Sequence, residues 1–346
     1  MTSLSAYFAE NYTKNCEKNW EKSWIETREF LSLGAKIVGV VGVPANIFAY
    51  HVIIFHTPKF MAHLKWCLLH LKFWTLLIDL VYTVLLIPFV FYPIFAMAYI
   101  GVFSWLLKIP SEIQFYLAMC CYGGIASAGV LIFENRQHHM IPRGHRFRIQ
   151  RPALRALLVV FNALLGVSVA FVAFLLRADG DELRFKLLKL NACPDALYFS
   201  PLTFAVDTTR NEVSLSIALV VATLTVEYSL FVSHCVLHIR SQPAARHSRA
   251  TRKMQRMFLL ASFSQLFTFL LVIGVPLAVF SVVLTTGYLN QGLLNVCNLL
   301  IPTIGSASTV ALIVTFKPYR VYFLSIFRKN RRIDTDHSVF SKSTIF

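Results

Sequence analysis

Two acids stand in long apolar runs, Asp79 and Glu227, and each must be paired, protonated or set in a polar cavity to be tolerated there. Lys72 precedes Asp79 by seven residues, two helical turns, so the amine and the carboxyl share a face; Thr75 and Asn46 are further partners within reach. Such a group either clamps helices together or takes part in a switch. Glu227 has three uses open to it: lining a ligand cavity, receiving a proton, or bonding across helices as a neutral acid. A third constellation, Glu134-Asn135-Arg136, closes an uncharged run that begins at Ile113. Arg143, Arg146, Arg148, Arg151 and Arg155 follow with no further acid. An arginine placed there can pair with Glu134 at rest and be released to meet a partner's carbonyls, a contact with two states. Pro276, inside another apolar run, removes one backbone hydrogen bond and can hinge a helix.

Catalytic or metal chemistry is not supported. His138, His139 and His145 sit in a basic stretch without acids or cysteines at ligand spacing, so neither a metal nor a cofactor is expected. A membrane hydrolase would need His and Asp converging near one face, which Asp79 alone does not supply. Of seven cysteines, only Cys16 and Cys193 lie in polar segments, where an oxidising compartment would let them bond as a staple. Asn11-Tyr12-Thr13 is an N-glycosylation sequon, usable only on the lumenal side.

The elements that must hold these residues are membrane spans. The chain has 346 residues, 56% of them hydrophobic and only 14% charged, whereas soluble domains carry about 25% charge. Apolar runs of about 20 residues, enough to cross the hydrocarbon layer as helices, recur along the whole length. They place spans at about 31–55, 67–91, 113–133, 153–176, 212–239, 257–284 and 294–316. Residues 1–30 form a polar tail, and 317–346 a second tail in which Tyr319, Tyr322, Phe323, Ile326 and Phe327 recur at helical spacing beside Arg320, Arg328 and Lys329. That pattern predicts a short amphipathic helix in the headgroup layer. The expected fold is thus all-α, a seven-helix bundle, with an apolar loop after span two broken by Pro88 and Pro93.

The net charge of +16 is placed for topology and not for nucleic acid. Bases crowd the segments after spans one, three, five and seven (Lys59 and Lys65; Arg136 to Arg155; Arg240 to Arg256; Lys317 to Lys342), where Glu134, Asp334 and Asp336 are the acids. The other segments are balanced. Positive charge marks the cytoplasmic face and favours anionic lipid, so the N-terminus is expected outside and the C-terminus inside.

Several stretches resemble the nematode class H serpentine chemoreceptors, a family of seven-transmembrane G-protein-coupled receptors. They are Pro44-Ala45-Asn46-Ile47-Phe48; Thr57-Pro58-Lys59 with Leu64-Lys65-Trp66; Leu71 to Leu80 with Ile87-Pro88; Ile109-Pro110-Ser111 with Tyr116-Leu117; Phe133-Glu134-Asn135-Arg136; Cys193-Pro194; and Lys317-Pro318-Tyr319-Arg320. The resemblance implies a plasma-membrane receptor of sensory-neuron cilia. It would bind an unidentified small molecule in its outer half and couple to a heterotrimeric G protein through Glu134, Asn135 and Arg136 and the basic third inner loop with Arg252, Lys253 and Arg256. The chain departs from the rhodopsin-like pattern: Asn135 precedes Arg136, span seven lacks Asn-Pro-x-x-Tyr, and the top of span three has no cysteine. Of that larger class's residues only Arg136 is therefore carried over. Two rivals remain at this level. One is a transporter using Asp79 and Glu227, though no internal repeat is visible; the other is a ligand-gated channel subunit with its N-terminus inside.

Overall fold

Span one, Arg28–His56, shows how the sequence sorts itself in a membrane. Thr27 starts the helix by accepting the Phe30 N–H on its side chain at 3.3 Å. Leu31, Ala35, Gly39, Gly42, Asn46, Ala49, Val52 and Ile53 then turn inward at three- and four-residue steps, one face of a helix. Ile37, Val40, Val41 and Ile47 turn outward, with Val40 74% exposed. The middle of the inward face, Ala35 to Ala49, is small or polar, while the residues facing out there are bulky and apolar. Lipid is as apolar as leucine, so close helix approach and internal hydrogen bonds decide which face turns in.

The computed structural model describes residues 23–91, 95–142, 144–176, 194–206, 212–241, 249–287 and 290–326, with Tyr7, Phe8, Tyr12, Cys16, Arg184, Phe185 and Leu188. Among them are seven helices long and apolar enough to cross a membrane: Arg28–His56, Ala62–Leu85, Ser111–Met140, Pro152–Leu175, Glu212–Ser241, Gln255–Val283 and Gln291–Thr315. Spans three and four come closest. A Cβ on Gly123 would strike the Ala163 carbonyl, and one on Gly166 the backbone of Gly123, so both positions require glycine. Span five is the loosest, with only Val213 and Cys235 buried. Residues 317–326 are helical, and Tyr319 folds back, fully buried, to share a hydrogen bond with Thr57 at 2.8 Å.

Two expectations need correction. Span two stops as a helix at Leu85, not near Phe91, and the region after it is not a loop. Pro88–Phe91 (β1) pairs antiparallel with Ala96–Tyr99 (β2), Pro88 opposite Tyr99, and β2 pairs with Phe204–Ala205 (β3). The molecule is mostly helical with a small sheet, not all-α. Phe, Val and Tyr suit a pleated surface, and Pro88 is tolerated as the first residue of an edge strand. At the junction Ile87 takes φ +47°, a left-handed conformation costly for a β-branched residue, to reverse the chain into β1. The second correction concerns span three, which runs on to Met140. Glu134, Asn135 and Arg136 consequently lie inside its last turns, not at its end, and all three are buried.

Three helices lose their regular ladder. Span two closes with a π turn, Val81–Leu85, where Leu86 donates to the Val81 carbonyl at 2.8 Å. Span six has another, Leu270–Gly274, immediately before Pro276; the proline cannot donate to the preceding turn, which slackens the ladder there. Span seven has a 3-10 turn at Ile301–Thr303 around Pro302. Both π turns touch that 3-10 turn, so the irregular segments form one contiguous patch.

Candidate functional site

Beside that patch, span two clasps span seven with two side chains. Asp79 is fully buried; it accepts the Asn46 side-chain N–H at 2.6 Å and the Gly305 backbone N–H at 3.4 Å. Lys72, also buried, donates to the Gly305 carbonyl at 3.1 Å, Ser308 Oγ at 2.6 Å and Thr309 Oγ1 at 2.8 Å. One residue of span seven thus gives its N–H to the carboxyl and its carbonyl to the amine. Thr75 closes the ring by donating to Asn46 Oδ1 at 3.4 Å. Gly305 has no room for a side chain, because a Cβ would meet Asp79 and Asn46 at once. Of the three expected partners of Asp79, Asn46 meets it, whereas Thr75 bonds Asn46 and the Lys72 carbonyl instead. Lys72 is not paired with it directly: the amine reaches across to span seven.

Toward the sheet lies a cavity of about 280 Å³. Tyr82, Phe115, Met119 and Tyr122 form one wall, Val169 and Val221 another, and Leu270, Ile273 and Gly274 of the span-six π turn a third. Tyr82 and Tyr122 share a hydrogen bond between their hydroxyls at 2.8 Å, with ring planes 81° apart. Glu227 does not line this cavity, although its neighbour Tyr228 does. It is half-buried beside Asn162 of span four, and its Oε2 finds no hydrogen bond among the described residues. Nothing in the sequence pointed to the tyrosine pair, since aromatic residues are common in spans and the two are 40 residues apart.

At the opposite end the Glu134 carboxylate is held by Arg155 of span four, Nη2 to Oε2 2.7 Å, and not by Arg136. The reason is geometric: residues two apart point to different sides of a helix, whereas Arg155 opens the helix that packs against span three. Asn135 accepts from the same Arg155 at 3.4 Å and donates to the His63 carbonyl at 3.4 Å. Gln137 bonds His234 of span five at 2.7 Å. Arg136 is 4% exposed and sits within electrostatic range of Cys67, Cys235 and Tyr319, at the junction of spans two, three and five with the post-span-seven helix. Arg155→Met strips the buried Glu134 carboxylate of its cation. It is expected to destabilise the protein by about 3–5 kcal/mol, read as a lower unfolding temperature in detergent, and Glu134→Gln in the same chain should restore part of that loss.

The remaining expected residues are spread over the molecule. Arg256 is exposed, at the start of span six. The side chains of Arg252 and Lys253 lie outside the described residues, as do Asn11 and Cys193. Cys16 is disulfide-bonded, and Cys67, Cys120, Cys121, Cys235 and Cys297 are free. Close to Cys16, Tyr12 donates to the Pro194 carbonyl at 2.7 Å and Arg28 pairs with Asp195 at 3.4 Å. Among the described residues no three His, Cys, Asp or Glu side chains converge as a metal site requires.

Seven apolar helices around an internal cavity, with a buried arginine in the last turns of span three, form a seven-transmembrane bundle of the receptor type. Residues 26–329 match the family model described as serpentine type 7TM GPCR chemoreceptor Srh, and the chain belongs to that family. It is a multi-pass membrane receptor and not an enzyme. It is similar to serpentine receptor class H-72 of Caenorhabditis elegans, 23% identical over 331 residues that cover 95% of this chain and 94% of that one.

Proposed function

We propose that this chemoreceptor holds a small molecule in the cavity between the sheet and the clasp, and passes its occupancy to a heterotrimeric G protein at the Arg136 end. The observation that supports this best is shared structure: Leu270, Ile273 and Gly274 both line the cavity and form the π turn of span six. A ligand there touches the weakest stretch of that helix. It shifts the balance of conformations only by as much as it prefers one of them. The favoured state moves spans five and six at the basic end and opens Arg136, with Arg252, Lys253 and Arg256, to the G protein.

In this reading the N-terminus lies outside and the basic end faces the cytoplasm of a sensory-neuron cilium. Cys16 bonds Cys193, Asn11 carries a glycan, and the 317–326 helix rests among inner-leaflet headgroups. The test is expression with a panel of Gα reporters and odorants, with surface level measured through an N-terminal epitope in intact cells. Arg136→Ala should reach the surface and lose signalling at least about tenfold, the scale of one charge-assisted contact. A variant that signals like the parent overturns the role of Arg136, and an epitope found only in the cytosol overturns the orientation.

A further inference from the structure

We infer that the ligand is a neutral, lipophilic molecule carrying a hydrogen-bond acceptor, and that it enters from the bilayer between spans five and six. This rests on the receptor reading only in taking the cavity as the ligand site.

The lining decides the charge. None of the residues around the cavity is Asp, Glu, Lys, Arg or His. A carboxylate or ammonium brought there would lose its water with no countercharge to meet, which excludes ionised ligands. The tyrosine pair decides the polar atom. In a bond between two hydroxyls one proton is donated and the accepting hydroxyl keeps its own. Whichever way the Tyr82–Tyr122 bond runs, one O–H is left to donate into the cavity. The other hydroxyls nearby are engaged: Tyr99 donates to Met97 Sδ at 3.1 Å, Thr225 to the Val221 carbonyl at 2.7 Å and Tyr228 to the Ala126 carbonyl at 3.3 Å. Asn298, the one amide in the lining, gives one N–H to the Pro88 carbonyl at 3.4 Å and keeps a second N–H and its carbonyl oxygen, a further polar contact at the sheet end. A carbonyl or ether oxygen fits the spare donor; apart from Asn298, the rest of the molecule meets hydrocarbon and aromatic rings.

The route follows from which walls are closed. At the sheet end every residue of β1 and β2 is buried, and Tyr198 is fully buried against Phe91. At the side, Val221 and Thr225 of span five and Leu270 of span six line the cavity and are exposed, Val221 by 46% and Leu270 by 56%, so this is the open wall. In a membrane-spanning bundle that wall gives on to lipid. A lipophilic molecule concentrates in the bilayer and finds the opening there.

The test uses the full chain in lipid nanodiscs with 2-octanone and octanoate at neutral pH, read by unfolding temperature and by ligand-detected NMR. 2-Octanone should bind and raise the unfolding temperature, while octanoate at equal concentration does neither. The double variant Tyr82→Phe/Tyr122→Phe keeps both rings, so its ligand-free unfolding should stay close to that of the parent, and ketone binding should weaken about three- to tenfold, the worth of one neutral hydrogen bond. Val221→Trp/Leu270→Trp should slow association more than it changes the equilibrium constant. Octanoate binding as well as the ketone overturns the inference, as does a ketone that fails to bind or is indifferent to the phenylalanine pair. Association unchanged in the tryptophan pair overturns the route. A ketone that binds as described in a protein that never turns over a G protein leaves this inference standing and sinks the proposed coupling instead.

Discussion

Lys72→Met lowers the unfolding temperature sharply, Asp79→Asn does so as well, and the double variant is less damaged than the two losses added together. Lys72 makes three hydrogen bonds to span seven. Interhelical hydrogen bonds inside membranes average about 0.6 kcal/mol each, so their loss alone costs about 2 kcal/mol. Removing the amine also leaves the Asp79 carboxyl, 0% exposed, with only Asn46 and the Gly305 N–H for company. Breaking a buried pair in direct contact costs about 3–5 kcal/mol. Lys72 does not touch Asp79, so the carboxyl loses a nearby positive charge and the penalty is a smaller part of that cost. The double variant removes that penalty and keeps only the lost hydrogen bonds. A thermal-unfolding cycle over the four proteins measures the difference as a coupling energy. Strict additivity would mean that the amine and the carboxyl act on span seven independently, and the clasp as described would be wrong.

The second large effect belongs to the closest helix contact. Gly166→Val should abolish surface expression or leave a protein that unfolds many degrees earlier. The first atom of the new side chain would overlap the Gly123 backbone, which cannot rotate away as a flexible side chain can. Overpacking a core by one methylene costs about 1–3 kcal/mol when side chains can adjust; here spans three and four would have to separate. Gly166 also lines the cavity, so any molecules that do fold should bind ligand poorly. Gly274→Ala is the control, because its Cβ would meet only Leu270 Cδ2 at 3.8 Å, an ordinary contact. Surface expression by flow cytometry and unfolding in detergent separate the two. A Gly166→Val protein as stable as the Gly274→Ala control would show that the helices are not in contact there.

What the sequence made legible is what the bilayer enforces. Long apolar runs, basic segments at alternate breaks and stranded polar residues all reflect the cost of putting charge in hydrocarbon, and each can be read locally. Asn46 was readable as a partner of Asp79 because few polar groups compete for that depth. The Lys72 partners were not, since Gly305, Ser308 and Thr309 lie more than 230 residues away and small hydroxyl residues recur in span seven. The sheet was missed for a different reason. Pro88 to Tyr99 is apolar throughout, and a fully buried strand shows no alternation to set it apart from a loop or a helix end. The Glu134 partner was open to better reasoning: the two-residue spacing to Arg136 already argued against that pair. The shared Thr57–Tyr319 bond gives a physical reason for two of the short motifs that carried the family resemblance.

The irregular turns of spans two, six and seven meet in one place, between the cavity and the Asp79–Lys72 clasp. A crystal slips along the plane where its lattice is already dislocated, and a helix bundle has the same option. Rotation across this fault would exchange one hydrogen-bond pattern for another and need not melt a regular helix. The backbone amides at the fault should then exchange with deuterium ahead of those a turn away on either side, and a bound molecule that spans the fault should slow them together.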